Sequence, residues 1–378
     1  MKILTGGKIV TDGRVLEGFD ICIENGKIVD VCKTGTVDGD KINLKKNYIS
    51  AGFIDIHCHG GGGYEFIDAT PEAFKKVAEI HSAHGTRVMY PTISATDYDT
   101  MVRVCECARK VKNDCAVEIP GIHLEGPYFA LEQCGGQAPG IVRDIDTVEY
   151  TSMLEKYSDI IARWDYAPEK DKDNAFLKAL NQKGIISATA HSSAEYDDVV
   201  RAFNGGNRLV THLYSCTSTI TRHQGFRRLG IVESAYLLND LYVEAIADGR
   251  HLPCELLKMI IKLKGTDKVC LITDALRPGG ADKAQEGKEY TDCPVPFVIE
   301  DGVAKLLDRS AFAGSIATSD ILLKMAVDAG CTVGEAVKMM TQTPAAVMGL
   351  KTKGRIAKDY DACFTVFDNN LDIVNIDL

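Results

Sequence analysis

The sequence predicts an α/β fold: a (β/α)8 barrel of the TIM type, flanked by β-rich segments from both chain ends. Three observations carry this. Eight short apolar runs recur through the middle of the chain: "FIDIHCH", "RVMYPTI", "IPGIHLEG", "IIARWDYAP", "IISATAHS", "LVTHLYS", "YVEAIADG" and "VCLITDA". Most are separated by a helical stretch, and eight repeated strand–helix units close naturally into a barrel. A doubly wound open sheet is the runner-up, but it wants a Gly-rich dinucleotide loop after its first strand. "GGGGYEF" matches Gly-x-Gly-x-x-Gly poorly.

The flanks read differently. "FDICIENGKIVDVC" places Asn25-Gly26 between two alternating runs, a hairpin signal because both turn positions need positive φ. The C-terminal "DACFTVFD" and "DIVNIDL" return to the same strand style. Between the flanks, helix punctuation is explicit. Thr70-Pro71 predicts an N-cap and first helical residue, Phe74, Val77 and Ala78 an apolar stripe, and Gly85 a stop. Pro253 to Gly265 repeats the pattern.

Composition narrows the function classes. A chain of 378 residues, 45% hydrophobic, can bury a large core. A net charge of −10 argues against nucleic-acid or anionic-membrane partners, and no apolar run approaches the ~20 residues of a bilayer span. The start, "MKILTGGKIVTDGRV", lacks a signal peptide's apolar stretch. The 13 cysteines are scattered, with no Cys-x-x-Cys. They predict reduced thiols in a cytoplasmic protein.

Barrel enzymes carry their chemistry at the C-terminal ends of the strands. Those ends supply His57 and His59 on strand one, Glu125 on strand three, and His191 and His212 on strands five and six. Asp248 ends strand seven with His251 just beyond, and Asp274 ends strand eight. Six of the nine histidines fall at this rim, His123 beside Glu125 among them. Imidazoles with a carboxylate suit a borderline divalent ion: zinc or iron first, manganese or cobalt as alternatives. An open position on such an ion acidifies a water, and a neighbouring aspartate can take the proton. Each residue alone has a blander explanation: Asp274 as a helix cap, Glu125 as a buried salt-bridge partner. His81 and His84, three apart on a helix, are placed far from the rim.

His-x-His, the two later histidines and the strand-eight aspartate together resemble the amidohydrolase superfamily. Within it, "AGFIDIHCHG", "GIHLEGPY", "YAPE", "TAHS", "THLY", "AIADGRH", "LITDA" and "FAGS" resemble the N-acetylglucosamine-6-phosphate deacetylase family nearly end to end. The resemblance implies a small β-sandwich built from residues 1–50 and 351–378 around a catalytic barrel of 51–350. It implies Glu125, His191 and His212 as ligands of a principal metal, with His57 and His59 supporting a second that Glu125 bridges. Asp274 matches the catalytic acid/base and completes the metal set. Arg222 and His251 match positions that hold a sugar phosphate, His251 reaching across a homodimer interface. Gly136, Gln137, Ser215, Cys216, Asp248 and Phe312, Ala313 and Gly314 fall along the sugar pocket.

Two departures stand out. After "THLY" the family usually continues Asn-Ala-Met, whereas this chain has Ser215-Cys216-Thr217. Arg222 also comes one residue early, with Arg227 and Arg228 close by as alternative phosphate forks. The implied activity is acetamide hydrolysis of N-acetylglucosamine 6-phosphate. Its rivals are the galactose epimer, another amide hydrolysis, and a scaffold without catalysis.

Overall fold

The computed structural model describes residues 1–280 and 285–376. Eight parallel strands follow one another in sequence order: Phe53–Cys58, Thr86–Ile93, Ile122–Glu125, Ile161–Tyr166, Ile186–Thr189, Leu209–Val210, Tyr242–Ile246 and Val269–Ile272. All eight coincide with the apolar runs. The eighth meets the first through Asp274 N–H, which donates to the His57 carbonyl at 2.9 Å, and through Thr273 Oγ1, which donates to Asp55 Oδ2 at 2.5 Å.

The predicted punctuation holds. The first helix runs Pro71–Ala83 with Thr70 accepting from Ala73 N–H at 3.2 Å, and Gly85 follows at φ +97°. Cys254–Lys264 ends at Gly265, φ +77°. Apolar clusters fill the layer between strands and helices. A further cluster draws Ile54, Ile56, Val88, Tyr90, Ala188, Leu209, Ile246, Cys270 and Ile272 together from six strands, as a barrel interior requires. Ala345 and Val347 of the helix Gln342–Val347 join it.

The termini form two four-stranded sheets. One orders Lys27–Lys33, Phe19–Glu24, Lys2–Thr5 and Asp40–Asn43; the other orders Phe364–Phe367, Tyr48–Ala51, Lys8–Thr11 and Arg14–Leu16. Leu4, Ile9, Ile21, Ile28, Ile49, Phe364 and Val366 share their core. The hairpin turns at Asn25 and Gly26, with φ of +50° and +72°.

Two features lie outside the sequence expectations. A four-stranded antiparallel sheet follows the eighth strand: Glu289–Tyr290, Phe297–Glu300, Val303–Leu306 and Phe312–Gly314. The arginine segment is an exposed hairpin, Thr221–His223 paired with Phe226–Arg228.

Candidate active site

Five separated segments meet at the C-terminal rim. Glu125 Oε1 lies 3.1 Å from both His191 Nε2 and His212 Nε2, and Glu125 Oε2 lies 3.3 Å from His59 Nε2. His57 Nε2 is 3.2 Å from His59 Nε2, and Asp274 Oδ1 is 3.3 and 3.2 Å from those two nitrogens. All six side chains are buried or nearly so. Strand ends aim them with some strain: His191, His212 and Asp274 have φ of +42°, +28° and +48°, where a residue with a Cβ is uncommon. Such conformations persist only when surrounding contacts enforce them, and they concentrate at functional sites.

The outer ring nitrogens explain the inward ones. His191 Nδ1 donates to the Gln133 carbonyl at 2.8 Å, and His212 Nδ1 to the Ser215 carbonyl at 3.0 Å. Because a carbonyl only accepts, these bonds place the proton on Nδ1 and leave Nε2 as the lone-pair donor of the neutral ring. Ser94 Oγ holds His59 Nδ1 at 3.0 Å, and Glu244 faces His57 Nδ1 at 3.2 Å. That is how metal-ligating imidazoles are oriented. Of three groups among the described residues whose ligand atoms lie within 4.8 Å of one another, two meet at this rim, His57 with His59 and Glu125, and Glu125 with His191 and His212; the third, Asp55 with Cys58 and His81, lies behind strand one. This nitrogen-and-oxygen set fits borderline divalent ions.

Electrostatics favour the same occupancy. Burial alone would raise the Glu125 carboxyl, but the imidazoles, His57 foremost, hold it well below its ordinary value. Asp274 is likewise pulled against burial to about 2, chiefly by His57 and His59. Burial opposes charge on His59 too, yet Asp274 and Glu125 raise it to about 10. The carboxylates therefore seek positive charge, which protons or a cation can supply.

Behind this cluster lies a charged layer that sequence reading missed. Arg163, Asp165 and Glu244 are fully buried within barrel strands four and seven. Arg163 Nε and Nη2 donate to Asp165 at 2.8 and 2.9 Å, and its further bonds reach Glu244, Thr211 Oγ1 and the Ile56 carbonyl. His123 belongs to this layer, not to the rim: Nδ1 meets Thr92 Oγ1 at 3.1 Å and Nε2 meets Asp165 at 3.0 Å. Burial, then Arg163, lowers it to about 4, so the ring is neutral. Asp55, raised to about 6 by burial, is held by Thr273. The available signal was charge inside apolar runs, as in "RWD" and "VEA".

Most of the residues expected along the sugar pocket share one cleft. Gly136, Ser215, Cys216, His251, Phe312, Ala313 and Gly314 line it together with His191, His212 and Asp274. Asp248 lies behind the cleft. Its Oδ2 sits 2.7 Å from His251 Nδ1, and its Oδ1 accepts from the N–H groups of Arg250 and His251. His251 lines this cleft, with Phe312 against its ring at 4.8 Å. Gln137 lines the adjoining cleft beside His59, Glu125 and Asp274. Its Nε2 donates to Glu125 Oε2 at 2.6 Å, so it braces the cluster directly. Arg222 is exposed on the hairpin and lines neither cleft.

His81 and His84 do not pair. His81 packs close behind strand one, Nε2 donating to the Gly60 carbonyl at 2.9 Å, while His84 meets Asp320 at 3.0 Å. The expectation that both lie far from the rim fails for His81, because the helix it rides packs directly on the loop after strand one.

Comparison with known proteins agrees with this geometry. The model of the family described as "Amidohydrolase family" matches residues 48–377. The chain is 30% identical over 376 residues to N-acetylglucosamine-6-phosphate deacetylase of Haemophilus influenzae, covering 97% of this chain and 95% of that one. It is 29% identical to N-acetylgalactosamine-6-phosphate deacetylase of Shewanella sp. (strain ANA-3), covering 98% and 93%. The crystal structure of N-acetylglucosamine-6-phosphate deacetylase from Pasteurella multocida superposes with a TM-score of 0.90 at 26% identity, covering 98% of this chain and 96% of that one. The chain belongs to the amidohydrolase family.

Proposed function

We propose that this chain hydrolyses the acetamide of N-acetyl-D-glucosamine 6-phosphate, releasing acetate and D-glucosamine 6-phosphate. The observation that carries the reading is the convergence of His57, His59, Glu125, His191, His212 and Asp274, within 3.1 to 3.6 Å of one another in a bonded chain of contacts, beside an open cleft. Similarity over nearly the whole length to N-acetylglucosamine-6-phosphate deacetylases supports the substrate.

Glu125, His191 and His212 would hold a principal cation, and His57 and His59, with Glu125, would hold a second; zinc or iron suits the donors best, with manganese or cobalt as alternatives. Bound there, a divalent cation acidifies a water and polarises the amide carbonyl. The chain's own residues do the rest. Asp274, ionised and at the edge of the cleft, accepts the water proton at a carboxylate oxygen and delivers it to the departing amine. Gly136, Ser215, Cys216 and Phe312 to Gly314 line the space for the sugar. Asp248 holds His251 at the cleft mouth for the phosphate, whose binding orients the acetamide.

Arg222 is a second group for that phosphate, and the chain acts as a cytoplasmic homodimer in which His251 reaches the neighbouring active site. The sandwich comprises residues 1–50 and 351–378 and the catalytic barrel 51–350. No helix among the described residues is long and apolar enough to cross a membrane.

Acetate release from N-acetylglucosamine with and without its 6-phosphate tests this function. The phosphorylated sugar should be strongly preferred, and Arg222→Ala should erase most of the preference by raising KM. Comparable turnover of unphosphorylated amides, indifferent to Arg222→Ala, would point to another amide hydrolysis.

A further inference from the structure

One buried carboxylate touches both halves of the site without facing the cleft. Glu244, fully buried on the strand Tyr242–Ile246, presents Oε2 to His57 Nδ1 at 3.2 Å and to the His212 backbone N–H at 3.4 Å. The same oxygen accepts from Arg163 Nη2 at 3.2 Å, while Oε1 takes a second bond from Arg163 Nη1. Arg163 is clamped from its other side by Asp165, which also accepts from Thr211 Oγ1 at 2.5 Å, the residue preceding His212. Thr211 in turn accepts from Arg163 Nη2 at 2.7 Å.

Such a buried ion network is a poor source of stability, because desolvating its charges costs about as much as their attraction returns. Its geometry suggests another role. A carboxylate opposite Nδ1 keeps the proton there, turns the Nε2 lone pair of His57 inward and makes the ring a better donor. The bidentate guanidinium of Arg163 fixes the plane of that carboxylate. His212 depends on it less. Its ring is oriented by the Ser215 carbonyl, and only a long backbone contact reaches Glu244.

We propose that Glu244, locked by Arg163, is a positioning residue that sets the cation affinity of the His57–His59 half of the site, separately from the His191–His212 half. The inference rests on the reading of both halves as cation sites.

The test is stepwise reloading of the metal-depleted full-length chain with Co²⁺, followed by d–d absorption and by metal content after dialysis. The unaltered chain should take up two equivalents; uptake of one only would sink the two-cation reading itself. Glu244→Gln should keep the first equivalent within about threefold and weaken the second by about 10- to 100-fold, with a changed spectrum for the second ion alone. Should Glu244→Gln fail to fold with Arg163 half-paired, the double substitution Glu244→Gln with Arg163→Met removes both charges and should show the same selective loss. Two tight equivalents in either folded variant, or equal weakening of both, would overturn the proposal.

Discussion

Gln137 and Glu125 are joined by a 2.6 Å hydrogen bond from amide to carboxylate. The other end of the Gln137 amide accepts from the Ala95 backbone N–H at 2.8 Å, so the side chain bridges the loop after strand two to the carboxylate at the centre of the site. Gln137→Leu keeps the bulk and removes both bonds. Metal affinity or kcat should fall about 10- to 100-fold, as for other residues that orient a ligand. Unchanged metal content together with unchanged kcat would show that the brace is dispensable.

Asp274 sits 3.2 Å from His59 Nε2 with its carboxyl held to about 2, so it is ionised at every working pH of the free site. Asp274→Asn preserves the shape and removes the proton acceptor. Turnover should fall about 10²- to 10⁴-fold while KM changes little. Near-full kcat in the metal-loaded variant would remove Asp274 from the proton path.

Metal uptake should release protons. In the cation-free site Asp274 and Glu125 raise His59, against its burial, to about 10. That ring is therefore protonated at neutral pH and must lose its proton to bind a cation. Affinity should rise as pH increases from 6 to 9. Asp274 is already ionised across that range and adds no slope. Chelator competition across this range measures it, and a flat profile would contradict the assignment of His59 as a ligand.

Gly135 lies at φ +55°, and a Cβ there would collide with the Cys216 sulfur. Gly135→Ala should disorder the loop that supplies the Gln133 carbonyl to His191, lowering both Tm and metal affinity. Adding Cys216→Ala should relieve the collision but leave about 1–2 kcal/mol of backbone strain. A double-mutant cycle in melting experiments separates the two; strict additivity would mean the two groups do not interact.

The barrel was legible in the sequence because each strand is a compact apolar run and several helices carry their own cap, with Thr70, Asp97, Asp146 and Thr332 each accepting from a first-turn N–H. Thr70, Pro71 and Gly85 announce one helix entirely through local chemistry. The rim residues were legible for a related reason: polar side chains at the ends of apolar runs stand out. Arg163, Asp165 and Glu244 did not stand out. Their meaning depends on strands four and seven facing each other across the barrel, a long-range pairing that no local pattern encodes. The sheet after strand eight was missed although Asp301-Gly302, at φ +56° and +74°, carries the same hairpin signal as Asn25-Gly26.

The most direct test of the account is acetate release from N-acetylglucosamine 6-phosphate and N-acetylgalactosamine 6-phosphate, with metal content measured on the same preparation. The account predicts higher kcat/KM for the glucose epimer, loss of activity on chelation, and recovery in proportion to divalent cation restored. Preference for the galactose epimer would contradict the substrate assignment, and full activity in metal-free protein would contradict the chemistry.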